Sequence, residues 1–333
     1  MNTFKKSIEI KSQIKMIYIV TPKARKVVPL VKLFIIGLIS LLSFKMTAQQ
    51  EAQYTQYMYN TSSINPAYVG SLGTLDIVGS YRDQWTGLDG APVTQNFGIH
   101  SPLRNDNIGV GLNIQNETIG PAKEFNAVAN FSYTIRLSPS TKLAFGLGAG
   151  VNLYDVDFSK GQFLNPNDML LMQNIDKRVT PIIGAGTYLY GEKWYVGLSV
   201  PDFKTDDLYD NMDQSLAKEE IQYYLIGGYV FDLNPMIKFK PAFLAKYQTD
   251  YPFVVDVSAN FLYNDRFTLG ASYRYDDAVS GLAGVEVFQG FFIGYSYDYS
   301  LTDLSDYNSG SHEIVLRFTL PTKLKKINSP RFF

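Results

Sequence analysis

Apolar and polar residues alternate with a period of two along most of the chain. Within residues 124–137, every second position is apolar, and the positions between them are mostly polar. A helix cannot hold this pattern, because its faces recur about every 3.6 residues. The pattern therefore predicts a β-strand with one apolar face, and residues 143–153, 237–247 and 266–275 repeat it.

Segments of this kind follow one another after residue 73. Most have about the 9 to 11 residues that a tilted strand needs to cross a bilayer. Their number is even, so the two edges of the sheet can pair with each other, and the predicted fold is all-β, a transmembrane antiparallel β-barrel of about 14 strands. The segments are residues 74–82, 93–101, 107–117, 124–137, 141–153, 179–190, 193–200, 220–231, 236–247, 252–262, 266–275, 280–287, 290–298 and 312–320.

The predicted connections differ in length on the two sides of the barrel. Connections after even-numbered strands are short, such as Pro139-Ser140 and Gly191-Glu192. The longest, near 154–178, 201–219 and 299–311, all follow odd-numbered strands. Outer-membrane barrels have short periplasmic turns and long outer loops. The asymmetry therefore places both chain termini in the periplasm.

The first 48 residues differ from the rest of the chain. They carry nine Lys or Arg residues and a single acid; eight of the basic residues precede the 12-residue apolar run LFIIGLISLLSF, and Lys45 follows it. These features are typical of a secretory signal peptide, whereas a transmembrane helix needs roughly 20 apolar residues. The long basic leader suggests translation from Met16 rather than Met1. We therefore predict a signal peptide at 1–48, an N-terminal periplasmic segment at 49–72, the outer-membrane β-barrel at 73–320 and a basic C-terminal tail at 321–333.

Removal of this leader changes the net charge. The whole chain has 30 Lys and Arg and 31 Asp and Glu residues; without the leader, 21 basic and 30 acidic residues turn a formal charge of −1 into −9. Nucleic-acid binding calls for a basic face, so we expect no nucleic-acid partner.

The sequence has no cysteine, which excludes disulfides and a thiolate nucleophile. Its 24 Tyr and 22 Phe residues suit the aromatic belts of a lipid-facing barrel.

Residues capable of catalysis are few. The mature chain has two histidines, His100 on the inward face of the second predicted strand and His312 at the start of the last one. A hydrolase would need a serine nucleophile, a histidine base and an orienting group, and the spacing marks no such unit. The aspartates of the loop at 201–213 lack the spacing of a calcium loop. We expect a protein that is not an enzyme, with no catalytic site, no metal site and no cofactor.

Charged residues of both signs fall on the inward-facing positions of the predicted strands. One interpretation is an ion-selective channel, and the other is an internal salt-bridged network that fills the barrel. The charged positions are Arg136, Lys238, Lys240, Lys246, Asp256, Arg266, Arg274, Glu286 and Arg317.

Several motifs occur together in a characteristic order. They are QYTQYMYNTSSINPAYVGS at 53–71, YRDQWTGLDGAPVT at 81–94, the segments IGVGLNI, ETIGP and KLAFGLGAGVNLYDVDF up to residue 158, and the closing SPRFF. In these motifs the chain resembles the PorP/SprF family of Bacteroidota outer-membrane proteins over essentially the whole mature length. The signature residues carried over are Asn65, Pro66, Ala67, Tyr68, Arg82, Gln84, Trp85, Pro330, Arg331 and Phe332.

The resemblance implies a function that the periodicity does not. Members of the family are outer-membrane barrels associated with the type IX secretion system and, in gliding bacteria, with export or surface attachment of large adhesins. The implied location is the cell outer membrane. The implied partners are a secreted adhesin or its C-terminal domain, other type IX secretion components and outer-membrane lipid. The alternatives are an outer-membrane channel or transporter for small or hydrophobic solutes and, as the weakest hypothesis, a hydrolase.

The signature residues have two interpretations. Asn65-Pro66 is a turn signal that favours a rigid start to the first strand. Arg82 and Trp85 suit structural roles at the end of a hairpin, with Trp85 at the membrane interface. Contact with a partner is the alternative for each.

Overall fold

The computed structural model describes residues 53–160, 174–203, 221–249 and 251–321. The predicted signal peptide, most of the loop at 201–213 and all but the first residue of the predicted tail lie outside these ranges. Fifteen strands are present in the described residues: β1 (Asp76–Asp83), β2 (Val93–Pro102), β3 (Ile108–Ile119), β4 (Ala122–Arg136), β5 (Lys142–Val156), β6 (Ile175–Tyr190), β7 (Trp194–Val200), β8 (Gln222–Tyr229), β9 (Phe231–Asn234), β10 (Ile237–Gln248), β11 (Val254–Tyr263), β12 (Phe267–Arg274), β13 (Ala278–Phe288), β14 (Phe291–Ser300) and β15 (Ser311–Thr319).

The sheet closes on itself. Each strand pairs antiparallel with its neighbour, and β15 pairs with β1 over the whole length of β1. β8 and β9 both pair with β10 and are separated only by Val230, so they form one interrupted strand of the wall. The wall therefore has fourteen strands, which confirms the predicted antiparallel barrel.

The two faces of the wall have the predicted polarity. Outward side chains are apolar and exposed, with Leu147, Ile183 and Leu269 at 63%, 60% and 66% of full exposure. Inward side chains such as Ser132 and Asn152 are polar and buried. An apolar exterior around a polar interior is the arrangement of barrels that face lipid. Among the residues described, no helix has the length and apolar character needed to cross a membrane.

Residues 53–72, which we call the lumen segment, lie inside the barrel. The segment contains a short helix, α1 (Thr61–Ile64), and a 3-10 turn at Pro66–Tyr68, and its apolar side chains pack with those of the wall in the main buried cluster. Tyr57, Tyr59 and Tyr68 are each at most 4% exposed. The sequence pattern predicts this stretch in the periplasm, outside the barrel. Apolar and polar residues do not alternate with a period of two in this stretch, so it is not a strand of the wall. Its apolar side chains are removed from water by packing inside the barrel.

The barrel has two distinct ends. Strands β1, β3, β5, β7, β10, β12 and β14 end at one of them, which carries the connections 157–174, 201–221 and 301–310. We call this end the long-loop mouth. The same strands begin at the opposite end, which we call the short-turn mouth, and its connections include 103–107, 137–141 and 191–193.

Candidate functional site

Thr55 anchors the beginning of the lumen segment to the wall. The Glu313 carboxylate accepts hydrogen bonds from the backbone N–H groups of Thr55 and Gln56, at 2.9 and 3.2 Å. The Thr55 hydroxyl donates to Asp298 Oδ2 at 2.7 Å. It also accepts from Arg82 and Arg274, both at 3.3 Å. Thr55 is fully buried, so its polar groups depend on these wall residues.

The charges around Thr55 are themselves paired. Arg82 NH2 lies 2.6 Å from Asp298 Oδ2, and Arg82 NH1 lies 3.1 Å from Glu313 Oε2. Arg274 pairs with Asp256 at 3.4 Å and with Asp277 at 3.1 Å. Of the two interpretations of the inward charges, the geometry here favours the internal salt-bridged network. We name Arg82, Arg274, Asp298 and Glu313, together with Thr55, the upper clamp.

A second polar cluster lies near the short-turn mouth. Arg317 Nε donates to Asp76 Oδ1 at 2.9 Å, and Asp76 Oδ2 lies 3.3 Å from His100 Nε2. The other ring nitrogen of His100, Nδ1, accepts from the backbone N–H of Gly70 at 3.3 Å. This cluster therefore also joins the wall to the lumen segment.

The Asn-Pro-Ala-Tyr signature packs closely against the wall. The Asn65 side-chain oxygen accepts from the Ala67 N–H at 2.9 Å and caps the 3-10 turn, which Pro66 begins without an N–H group that would need an acceptor. The Asn65 amide donates to the Thr187 carbonyl of β6 at 3.0 Å. The Tyr68 ring packs edge-on against Tyr188, with centroids 5.4 Å apart. The turn predicted at Asn65-Pro66 thus lies inside the barrel, where it holds the lumen segment against the wall.

Inward-facing glycines make room for this signature. A Cβ atom on Gly146 of β5 would lie 2.1 Å from the Ala67 nitrogen. On Gly109 of β3 it would lie 2.1 Å from the Val69 carbonyl oxygen, and on Gly186 of β6 it would lie 2.3 Å from Asn65 Oδ1. No other residue type allows the backbone of the segment to approach the wall so closely.

The hairpin signature is divided between lumen and loop. Arg82 is in the upper clamp, and Gln84 is buried just beyond the end of β1. Trp85 is half-buried, has a positive φ of 50° and donates its backbone N–H to Ser311 Oγ at 3.0 Å. The predicted position of Trp85 at a membrane interface stays a prediction. Pro330, Arg331 and Phe332 lie outside the described residues.

The two histidines do not form a unit. His100 points into the lumen, where it lies beside Asp76 and Gly70. His312 points outward, and its Nδ1 lies 2.7 Å from the Tyr295 hydroxyl. The pair therefore offers no shared nucleophile and base, and the hydrolase hypothesis gains no support from the geometry.

Sequence reasoning missed Thr55, Asp298 and Glu313 as site residues. Thr55 and Glu313 are separated by 258 positions, and no local pattern links them. One signal was available in the sequence: glycine repeats at 146, 148 and 150 on the inward side of a predicted strand. Such a row of small residues marks a place where another backbone approaches.

Comparisons with known proteins agree with this architecture. A family model described as "Type IX secretion system membrane protein PorP/SprF" matches residues 46–318. No curated protein matches the chain.

Solved structures with a similar fold are distant in sequence. The CymD monoaromatic hydrocarbon channel has 11% identity and a TM-score of 0.48, over 78% of this chain and 91% of that one. A Pseudomonas aeruginosa FadL homologue has 12% identity and a TM-score of 0.44, over 78% and 93%. CdiB from Acinetobacter baumannii has 10% identity and a TM-score of 0.41, over 75% of this chain, which spans 60% of the CdiB chain. At TM-scores below 0.5, these similarities support no inference about function.

Substituting Gly146 with alanine tests the contact between signature and wall. The added methyl group meets the backbone of Ala67, so we expect the free energy of unfolding to fall by about 1–3 kcal/mol, as for other overpacked sites. We also expect faster proteolysis within the lumen segment. The matched control is Gly281→Ala, where an added Cβ meets nothing within 4 Å. Urea titration of the folded barrel is the measurement, and equal stability of the two variants would contradict the contact.

Substituting Arg82 with glutamine tests the upper clamp. Removing one partner of a buried ion pair leaves the carboxylates of Asp298 and Glu313 uncompensated, at a cost of about 3–5 kcal/mol. The exposed pair Lys193–Asp232, at 2.6 Å, provides the control, because Lys193→Gln is expected to change stability little.

A double-mutant cycle then assigns part of this cost to the lumen segment. Thr55→Val removes the hydroxyl that Arg82 contacts but keeps the side-chain shape. Combined with Arg82→Gln, it is expected to show a coupling energy of about 0.5–3 kcal/mol. Additive effects of the two substitutions would mean that the clamp does not hold the segment.

Proposed function

Because the chain belongs to the PorP/SprF family of type IX secretion system membrane proteins, we propose that it supports the secretion or surface anchoring of a cognate adhesin. The protein is an outer-membrane β-barrel, and its family is one of secretion-system membrane proteins. Family membership implies other components of the secretion system as partners. The adhesin, acting through its C-terminal domain, and a part in gliding motility are our extension of that membership.

The occupied lumen is the structural observation that supports this proposal. The lumen segment forms hydrogen bonds to β6 through Asn65, to β4 through Val69 and to β15 through Thr55. A solute channel keeps an open or switchable path through its interior. Here the lumen holds a buried, hydrogen-bonded segment of the same chain, which favours a function carried by the outer surfaces over a permanently open path.

The long-loop mouth is the surface that we assign to the partner. Loops carry binding residues while a rigid scaffold holds them in place. The connection between β14 and β15 contains a short turn at Asp303–Asp306 followed by Tyr307, which is 71% exposed. Exposed aromatic residues on such loops are frequent anchors of protein–protein interfaces.

Deletion of the gene separates the adhesin role from the solute-channel alternative. We expect the mutant to lose surface display of one large secreted protein while uptake of small and hydrophobic solutes stays normal. Quantitative mass spectrometry of proteins shaved from intact cells measures display, and labelled solutes measure uptake. Complementation with the wild-type gene is the control. Unchanged surface display together with reduced uptake would replace the proposal with the channel alternative.

A further inference from the structure

Three inward serines form a row across neighbouring strands of the wall. Ser258 of β11 is opposite Ser272 of β12, which is in turn opposite Ser280 of β13. Asp298 of β14 continues the row, opposite Ser280. All four residues are at most 6% exposed. Side chains directly opposite each other on one face of a sheet lie about 5 Å apart, so their oxygen atoms are close together. We name Ser258, Ser272 and Ser280 the serine row.

Asp256 lies next to the serine row. It precedes Ser258 by two positions on β11, so its side chain also points inward, and it is 1% exposed. Its ion-pair partner is Arg274, at 3.4 Å. Arg274 also donates to the Thr55 hydroxyl, which donates to Asp298 at 2.7 Å. Asp256 and Asp298 are therefore the two ends of one short chain of contacts around Thr55.

Five oxygen atoms of this group have no hydrogen-bond partner in the described parts of the chain. They are both carboxylate oxygens of Asp256, Oδ1 of Asp298, and the hydroxyl oxygens of Ser272 and Ser280. Ser280 faces Asp298 without the geometry of a hydrogen bond. Buried polar atoms in native proteins nearly always have a partner. The concentration of five such oxygens on neighbouring strands indicates a ligand that accepts electron pairs from oxygen.

The charges around these oxygens do not balance. Two guanidinium groups face four carboxylates in the ion pairs of Arg82 and Arg274 with Asp256, Asp277, Asp298 and Glu313. This leaves an excess of two negative charges. Glu313 also accepts two backbone N–H groups, and the Asp277 side chain is 12% exposed. The poorly compensated carboxylates are therefore those of Asp256 and Asp298, which also carry the oxygens without hydrogen bonds.

We propose that Asp256, Asp298 and the serine row bind a monovalent metal cation, Na⁺, inside the lumen. Carboxylate and hydroxyl oxygens are the ligands that hard cations prefer. Calcium takes six to eight oxygen ligands, usually with several carboxylates. No group of three or more acidic, histidine or cysteine side chains within the described residues is arranged to hold a metal ion. With two carboxylates and neutral hydroxyls, the site suits a single positive charge.

This proposal departs from the expectation of no metal site, and it does not depend on the proposed function. Its consequence concerns the lumen segment. Asp298 is a direct partner of Thr55, and Asp256 reaches Thr55 through Arg274. A cation at these carboxylates therefore stabilises the folded barrel together with the anchor of the lumen segment. The unfolded chain does not bring these strands together, so the cation binds the folded state alone.

Sodium-dependent unfolding tests the site. The full-length protein is purified from outer membranes in detergent and unfolded with urea in sodium chloride or in N-methylglucamine chloride at equal ionic strength. We expect sodium to stabilise the barrel. Above the dissociation constant, the unfolding equilibrium constant should fall about tenfold for each tenfold rise in sodium concentration.

The double substitution Ser272→Ala and Ser280→Ala locates the effect. These hydroxyls form no hydrogen bond to any described residue, so the variant is expected to fold and to lose the sodium dependence. The matched control is Ser199→Ala on β7, which removes a buried hydroxyl that already donates to the Ile64 carbonyl at 2.7 Å. The control should be less stable than the wild type but keep its full sodium dependence.

Four results would overturn the proposal. The first is equal stability of the wild type in sodium and N-methylglucamine. The second is a sodium dependence that the double alanine variant retains. The third is stability that responds to pH but not to sodium, because protons would then neutralise the carboxylates. The fourth is stabilisation by calcium at equal ionic strength without any stabilisation by sodium.

Discussion

The antiparallel pairing of β1 with β15 is the constraint on which the rest of the structure depends. A membrane-spanning sheet must satisfy every backbone polar group internally, so its first and last strands have to meet. The register of this seam places Arg82 directly opposite Glu313. It also brings Arg317 to Asp76 on the lumen face. Closure of the barrel therefore also pairs these buried charges.

The seam also creates the binding site for the lumen segment. Glu313 uses its carboxylate both for Arg82 and for the backbone of Thr55 and Gln56. Without the segment, this carboxylate would lose two backbone donors, and Asp298 would lose the Thr55 hydroxyl. Buried polar groups are costly when they lack partners. The lumen segment and the wall therefore stabilise each other.

The wall could be predicted from the sequence, whereas its contents could not. Alternation by two identifies the strands and assigns the inward face correctly, since Lys240, Asp256 and Arg274 are all buried. It works because the faces of a strand are set by the local backbone. The lumen segment follows no such period, because a chain that fills a cavity is shaped by wall residues distant in sequence. The placement of residues 49–72 in the periplasm fails for the described residues 53–72 for this reason.

The signature residues show the same division. The sequence predicts a turn at Asn65-Pro66, and in the structure Asn65 caps a 3-10 turn that Pro66 begins. That the turn fits against Gly146 and Gly186 depends on β5 and β6, far along the chain. The residues of a family signature can therefore reflect the fit of the lumen segment to the barrel wall as well as contact with a partner. The proposed surface for the adhesin is accordingly the long-loop mouth rather than the signature.

The central claim is that residues 53–72 lie within the lumen, and chemical crosslinking tests it most directly. Ser62 Oγ lies 3.0 Å from Asn113 Oδ1 on the inward face of β3. We therefore expect a short bifunctional thiol reagent to join the pair Ser62→Cys and Asn113→Cys within one chain in native outer membranes. Cysteines at 62 and 112 should not be joined by it, because Leu112 points outward. A 62–113 pair that fails to crosslink, with both thiols reacting freely with a bulky maleimide, would contradict this placement.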